Sequence, residues 1–336
     1  MKILFDHSSP FLLAHGGVQV QIEETKLALG RVGIDVEFVH WWEDQQKGDL
    51  IHYFGPISSA YLRLARRKGV PVVLTTFLSS TCNRSDLRLR IQGLVTRGLL
   101  ALPGWDSVKA QLQWQSYREA SHLIVGLEAE RRVLQTVYGV PPSQISIVPL
   151  GLDNIYLATK QDRRPGTYLI TIGTICDVKR SVELAELARA AEVPILFIGD
   201  PYSTTDPYWK RFKTLVDDRF VLYQNHRVDR AAMLNLLSSA RGFVLFSHYE
   251  NWSLAAHEAA ACGLPLLLPD QTWSRECFFD QASYFKPDNL MSNAESLRNF
   301  YASSPDLPPP RIEHYSWDDV ATRLIGVYNT VAKSTT

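Results

Sequence analysis

Short apolar runs alternate along this chain with segments whose apolar positions recur at helical spacing. In the first half the runs are KILFD (2–6), IDVEFVH (34–40), DLIHYFG (49–55), VPVVLTTF (70–77), HLIVGL (122–127) and QISIVPLG (144–151), each read as a strand. Between them, VQVQIEETKLALGRVG (18–33) repeats apolar residues at 18, 22, 29 and 32 and stops at Gly33. LEAERRVLQTVYGV (127–140) also runs into a glycine, and both segments predict helices. Strand, helix, strand in repeated order predicts a parallel sheet with helices on both faces.

The alternation breaks at YLATKQDRRPGT (156–167), a polar, charged stretch with Pro165 and Gly166 that reads as a linker. It restarts with YLITIGTI (168–175), PILFIGD (194–200), RFVLYQN (219–225), GFVLFS (242–247) and LPLLLPD (264–270). A Pro-rich connector, SSPDLPPPRI (303–312), precedes SWDDVATRLIGVYNTVAK (316–333). There Ser316 and Asp319 suggest a helix start, and residues 320, 324, 327, 328 and 331 make one apolar face. The reading is an α/β protein with two domains, 1–155 and 156–312, a cleft between them, and a final helix over 313–336.

The length, 336 residues, agrees with two cores rather than one. Lys+Arg and Asp+Glu are both 35, so the bulk charge gives no reason to expect a nucleic-acid partner. Cys82, Cys176, Cys262 and Cys277 form no close pair and read as free thiols of a reducing compartment. The first apolar run ends at Asp6, short for a signal peptide, and no stretch reaches the ~18 apolar residues of a spanning helix. A cytoplasmic location is the expectation. One segment, 85–118, is apolar and basic, with only Asp86 and Asp106 acidic. It reads either as ordinary helices with basic outer faces or as a weak contact with the inner face of a membrane or a lipid-linked acceptor.

The densest chemistry lies in YENWSLAAHEAAACGLPLLLPD (249–270). Glu250 follows the run GFVLFS, so it sits at the carboxyl end of a strand, where α/β sheets bind ligands. A helix beginning near Ser253 would turn its unpaired amides and positive dipole end toward that loop, a seat for phosphate. Glu258 falls one to two turns into this helix, on the face of Leu254 and Ala261, among alanines that allow close packing. A carboxylate placed there can accept the two hydroxyls of a ribose. Gly263 ends the helix.

ENWSLAAHEAAACGLPLLL resembles the donor-site signature of the family 4 glycosyltransferases, retaining enzymes of the GT-B fold: Glu, seven residues, Glu, a small-residue helix, then Gly-x-Pro. The resemblance implies two Rossmann-like parallel-sheet domains facing a central cleft, with the C-terminal helix returning to the first domain. It implies that Glu258 binds the nucleotide ribose, that Glu250 contacts the donor sugar, and that the backbone at Asn251, Trp252, Ser253 and Leu254 holds the diphosphate. HGGVQVQIEETKLALGRVGIDVEFV resembles the family's N-terminal glycine loop, placing Gly16 and Gly17 near ligand. IGTICDVKRSVELAELAR (172–189) resembles the diphosphate loop, with Gly173 at its turn and Lys179 as its basic residue. HYSWDDVATRLIGVY resembles the closing helix.

Two positions depart from the pattern. The arginine common after the loop glycine is Thr174 here, with Arg180 as a substitute beside Lys179. The acceptor-side histidine after the fourth strand is absent from TTFLSSTCN, so a different group positions the acceptor or transfer is impaired. His15, beside Gly16 and Gly17, reads as structural rather than catalytic, and His226 and Arg227 follow another strand end, where they could touch the base, without a motif to assign them. No His, Cys or carboxylate cluster has metal-ligand spacing, and no Asp-x-Asp stands out, so neither a metal nor a separate cofactor is expected.

The resulting expectation is a metal-independent, retaining transferase. It would move a sugar from a nucleotide-diphosphate donor to a glycan, lipid-linked or small-molecule acceptor. Lys179 and Glu250 would act on the leaving group and the sugar. The alternatives are a nucleotide-sugar epimerase of the same fold and a transfer-inactive partner subunit that still binds nucleotide sugar.

Overall fold

Every apolar run read as a strand becomes one. The computed structural model describes the chain except residues 14–15, 105–113, 159–165, 226–228, 286–289 and 334–336. Strands β1 (Lys2–His7), β2 (Asp35–Phe38), β3 (Leu50–Phe54), β4 (Val72–Thr75), β5 (His122–Val125) and β6 (Ile145–Ile147) form one sheet in the order β2-β1-β3-β4-β5-β6. Strands β7 (Leu169–Ile172), β8 (Ile195–Ile198), β9 (Val221–Gln224), β10 (Gly242–Val244), β11 (Leu266–Pro269) and β12 (Ser283–Phe285) form a second, in the order β12-β11-β10-β7-β8-β9. All pairings are parallel. This is the two-Rossmann architecture of the GT-B fold. Strand β12 has no counterpart in the sequence reading, because it is three residues long and buries only Phe285. So short a run shows no period.

By its contacts the chain divides into a first unit, Met1–Leu12, Val18–Gly151 and Trp317–Thr336, and a second, Leu13–Gly17 and Leu152–Ser316. The division therefore falls at 151/152 and 316/317, slightly displaced from the 155/156 and 312/313 of the sequence reading. The short helix Asn154–Leu157 explains the first shift, since it packs on helices of the second unit and buries Tyr156 there. Of the expected linker, 159–165 lies outside the described residues.

In the first unit, helix α1 (Gly17–Arg31) buries Ile22, Ala28 and Leu29, while Val18 and Val32, at or beyond its ends, stay exposed. Helix α2 (Asp86–Ala101) seats its inner face through Gly93, where a Cβ would stand 2.3 Å from the Thr136 carbonyl oxygen. Helix α3 (Glu128–Val133) widens into a π turn over Leu134–Tyr138 and stops at Gly139, whose φ is +67°. In the second unit, α4 (Ser181–Ala191) and the helix Leu290–Ser303 cover the sheet, with Phe197, Phe212, Val244 and Phe246 at the centre of the core. Among the described residues no helix is long and apolar enough to cross a membrane.

The last helix, Trp317–Lys333, buries the apolar face foreseen for it: Val320, Leu324, Val327, Tyr328 and Val331. One polar joint fixes it within the first unit. The fully buried His52 on β3 pairs through Nδ1 with the Tyr328 hydroxyl and through Nε2 with Thr75 Oγ1 on β4, both at 2.7 Å. Burial pushes the His52 imidazole down to about 3, so it is neutral and each ring nitrogen has one partner.

Removing one side of such a pair leaves a buried polar atom with no partner. Tyr328→Phe is expected to lower stability by about 1–3 kcal/mol in denaturant unfolding. An unchanged midpoint would show that the joint contributes nothing.

Candidate active site

Read from its far edge, the second sheet runs β9-β8-β7-β10-β11-β12, so strand order reverses between β7 and β10. Loops leaving the carboxyl ends of two such strands turn to opposite faces and open a crevice. The loop after β7 runs from Gly173 to Arg180 and carries Lys179, and the loop after β10 runs to Ser253 and carries Glu250. The reversal thus sets side by side two residues that are 71 positions apart in the chain.

Lys179 Nζ donates to Glu250 Oε1 at 2.5 Å, and Ser247 Oγ donates to the same oxygen at 2.7 Å. The Glu250 side chain is 10% exposed and that of Lys179 28%. A partly desolvated pair of this kind is held only where further hydrogen bonds support it. Here the backbone does so. The His248 amide donates to the Val178 carbonyl at 2.8 Å, joining the two loops. Gln271, in the loop after β11, donates through Nε2 to the carbonyls of Ser247 and His248 at 3.1 and 2.6 Å.

The turn at Gly173 depends on a second glycine. A Cβ on Gly199, at the end of β8, would stand 1.8 Å from the Gly173 carbonyl oxygen. The Lys179 stem passes over Gly173 itself, with Cε 3.6 Å from where a Cβ would be. Thr174, where the family pattern has arginine, is hydrogen-bonded to the half-exposed Tyr202. Arg180 caps α4 with left-handed backbone, φ +52°, and lays its guanidinium 4.4 Å from the centre of the Phe246 ring. Its head is therefore engaged by a core aromatic.

Helix α6 (Leu254–Ala261) starts from Ser253, also left-handed at φ +62°. Its first intrahelical bonds run from the amides of Ala256 and His257 to the Ser253 carbonyl. The amides ahead of them are the helix's positive end. Trp252 stacks on His257, with centroids 4.2 Å apart and planes 8° from parallel. Buried His257 is held neutral, pushed down to about 3, with Nδ1 3.1 Å from the Ser253 oxygen. Trp252 is so braced against α6. Ala256, Ala259, Ala260 and Ala261 of α6 are buried, and Gly263, at φ +77°, ends it with its amide on Ala260 O and that of Leu264 on Ala259 O.

Glu258 is partly buried on α6, and burial pushes its carboxyl up to about 7 against the opposing pull of Arg230, the first residue of α5 (Arg230–Ser238). Tyr156 and Cys262 lie beside it, and each is raised by its own burial and then by the Glu258 charge. Arg230 is ion-paired with Asp153. Ser247, Gln271, Tyr202, Arg230 and Tyr156 were not singled out from the sequence. Ser247 and Gln271 were findable as polar residues just past apolar runs, whereas Tyr156 and Arg230 carry no local signal.

The remaining expectations are local. Gly16 takes φ +132°, a conformation that suits glycine, and Gly17 is the first residue of α1. In TTFLSSTCN the Leu78 amide is held by Glu130 Oε1 at 2.9 Å. His15, His226 and Arg227 lie outside the described residues. Among the described residues no group of three His, Cys, Asp or Glu side chains could hold a metal ion.

With this geometry in place, two comparisons bear on the fold and the family. The whole chain superposes on sucrose-phosphate synthase from Thermosynechococcus elongatus, with a TM-score of 0.69 at 15% identity, covering 99% of this chain and 100% of that one. Residues 39–154 match the model of Glycosyltransferase Family 4. The chain has the GT-B fold, and residues 39–154 of it match Glycosyltransferase Family 4. Similar solved structures also include Anabaena HepE in complex with UDP and glucose (TM-score 0.65, 13% identity, 99% of each chain). A glycosyltransferase from Rickettsia africae is another (TM-score 0.65, 11% identity, 99% of this chain and 98% of that one). No curated protein matches the sequence. The family match lies wholly outside the double-glutamate block, so the two observations are independent.

The left-handed backbone at Ser253 gives the second unit a testable strain. A non-glycine residue in this region costs about 1–2 kcal/mol. Ser253→Gly is expected to raise the stability by about 1 kcal/mol in thermal unfolding, since no side-chain cap bond is lost. A destabilised variant would mean that the serine side chain has a structural role of its own.

Proposed function

We propose that this glycosyltransferase takes its sugar from a nucleotide-diphosphate donor seated in the second unit and passes it to an acceptor hydroxyl with retention, without a metal ion. The observation that carries the reading is the convergence, at the switch point between β7 and β10, of Lys179, Glu250 and the start of α6, with Glu258 one to two turns along it. HepE, whose structure this chain resembles, binds UDP and UDP-glucose, which supports a nucleotide sugar as donor.

In this reading the diphosphate lies at the amides that begin α6 and takes up the Lys179 ammonium. Both stabilise the charge that builds on the leaving phosphate as the sugar–phosphate bond breaks. Glu250, released from its partner, turns to hydroxyls of the donor sugar, while Glu258 accepts the ribose hydroxyls. Charge on the leaving group is met by a cation and helix amides already in place, so the scheme needs no metal.

Calorimetric titration with UDP, GDP, ADP, TDP and CMP tests the reading. One of these is expected to bind, and Glu258→Ala to weaken it by about 1–3 kcal/mol, the scale of hydrogen bonds to a charged group. Binding of none of them, or equal affinity in the variant, would remove the donor assignment.

A pH dependence follows from the same residue. The folded carboxyl of Glu258 is raised to about 7, so below that pH it holds a proton that a hydroxyl-accepting carboxylate must lose. Nucleotide affinity is expected to rise between pH 6 and 8 about as far as one proton allows, up to ~1.4 kcal/mol per pH unit. Glu258→Gln supplies the background from the nucleotide's own phosphate, and equal pH slopes in the two proteins would sink the assignment.

A further inference from the structure

Helix α2 presents to solvent an unusual concentration of apolar side chains. Leu87, Ile91, Leu94 and Val95 recur at the spacing of one helix face and are 68%, 53%, 68% and 55% exposed. The opposite face carries Leu89, Gly93 and Thr96 and is buried. The outward stripe is not the sign of a loosely held helix, because the Gly93 contact with Thr136 leaves no room for even a methyl group between helix and body. Soluble surfaces seldom leave such a contiguous patch uncovered.

The rim of the stripe identifies what covers it. Arg88 flanks it on one side and Arg90 on the other, both exposed. The one acidic residue of the helix, Asp86, is paired with Arg132 at 3.1 Å. A second copy of this chain laid on the stripe would bring arginines toward arginines across a two-fold axis. A surface that is apolar below and anionic above matches both features at once. We propose that α2 docks this protein on an anionic lipid surface, lying in the plane of the interface with its leucines among the acyl chains and its arginines at the headgroups. The helix has 16 residues, about 24 Å of length, and no helix among the described residues could span the bilayer instead. The inference is independent of the donor site.

Flotation of the full-length protein tests it, with vesicles of phosphatidylcholine alone and of phosphatidylcholine mixed with phosphatidylglycerol. The expected result is about tenfold more protein on the mixed vesicles, falling as salt rises. Ile91→Glu with Leu94→Glu, and separately Arg88→Glu with Arg90→Glu, should both leave the protein unbound. All four positions are exposed, so an unchanged thermal midpoint checks that each variant is folded. Equal binding to both vesicles, or binding to neither, would overturn the proposal. So would a concentration-dependent dimer in sedimentation that the Ile91/Leu94 variant abolishes, since a second copy would then be the occupant.

Discussion

The reversal of strand order between β7 and β10 is the constraint on which the donor-side chemistry depends. A parallel sheet built outward in both directions from its first strand must have one place where neighbouring strands send their loops to opposite faces. In the second unit that place is fixed by the pairing of Gly242 with Leu169 and of Phe243 with Ile170. Everything assigned to the site hangs from those strand ends. Lys179 comes from one side and Glu250 from the other, and the bond from His248 to Val178 holds the two loops in register.

The charges at this point are arranged to be stable without a ligand. Lys179 and Glu250 neutralise each other while Ser247 takes a share of the same carboxylate oxygen. Glu258, against whose burial the Arg230 charge only partly pulls, keeps a proton up to about pH 7 instead. These are the two ways a protein can keep carboxylates in a poorly solvated place, by pairing or by protonation. Either can be reversed by a ligand that brings phosphate to the lysine and hydroxyls to the glutamates. Left-handed backbone at Arg180 and Ser253, the two residues that start the helices beyond these loops, is the conformational counterpart of the same arrangement.

The two units spend their polar buried groups differently. In the first, His52, Thr75 and Tyr328 form a closed joint with every ring nitrogen satisfied, which serves to fasten the terminal helix. At the site in the second unit, Lys179 and Glu250 sit in loops beyond strand ends and are only partly covered. The first arrangement rigidifies a core, and the second keeps donors and acceptors within reach of solvent.

The sequence by itself determined the alternation of strand and helix, the two parallel sheets and the double-glutamate turn. These are local: an apolar run, a polar loop and an alanine-rich helix carry their period within a few residues. Lys179 was legible for the same reason, as a base shortly after a strand and a glycine. The tertiary structure alone decided that Lys179 reaches Glu250, that Ser247 and Gln271 brace it, and that Tyr156 and Arg230 stand beside Glu258. Those contacts join residues far apart in the chain, and no local pattern encodes them. It also decided that Arg180 lies on Phe246, because a side chain's direction follows from the backbone angle at its own residue. The segment 85–118 shows the limit most clearly. Leucines occur all round α2, so composition could not say which of them face outward. The close approach at Gly93 settles it, because only a glycine lets that side of the helix lie directly on its neighbour.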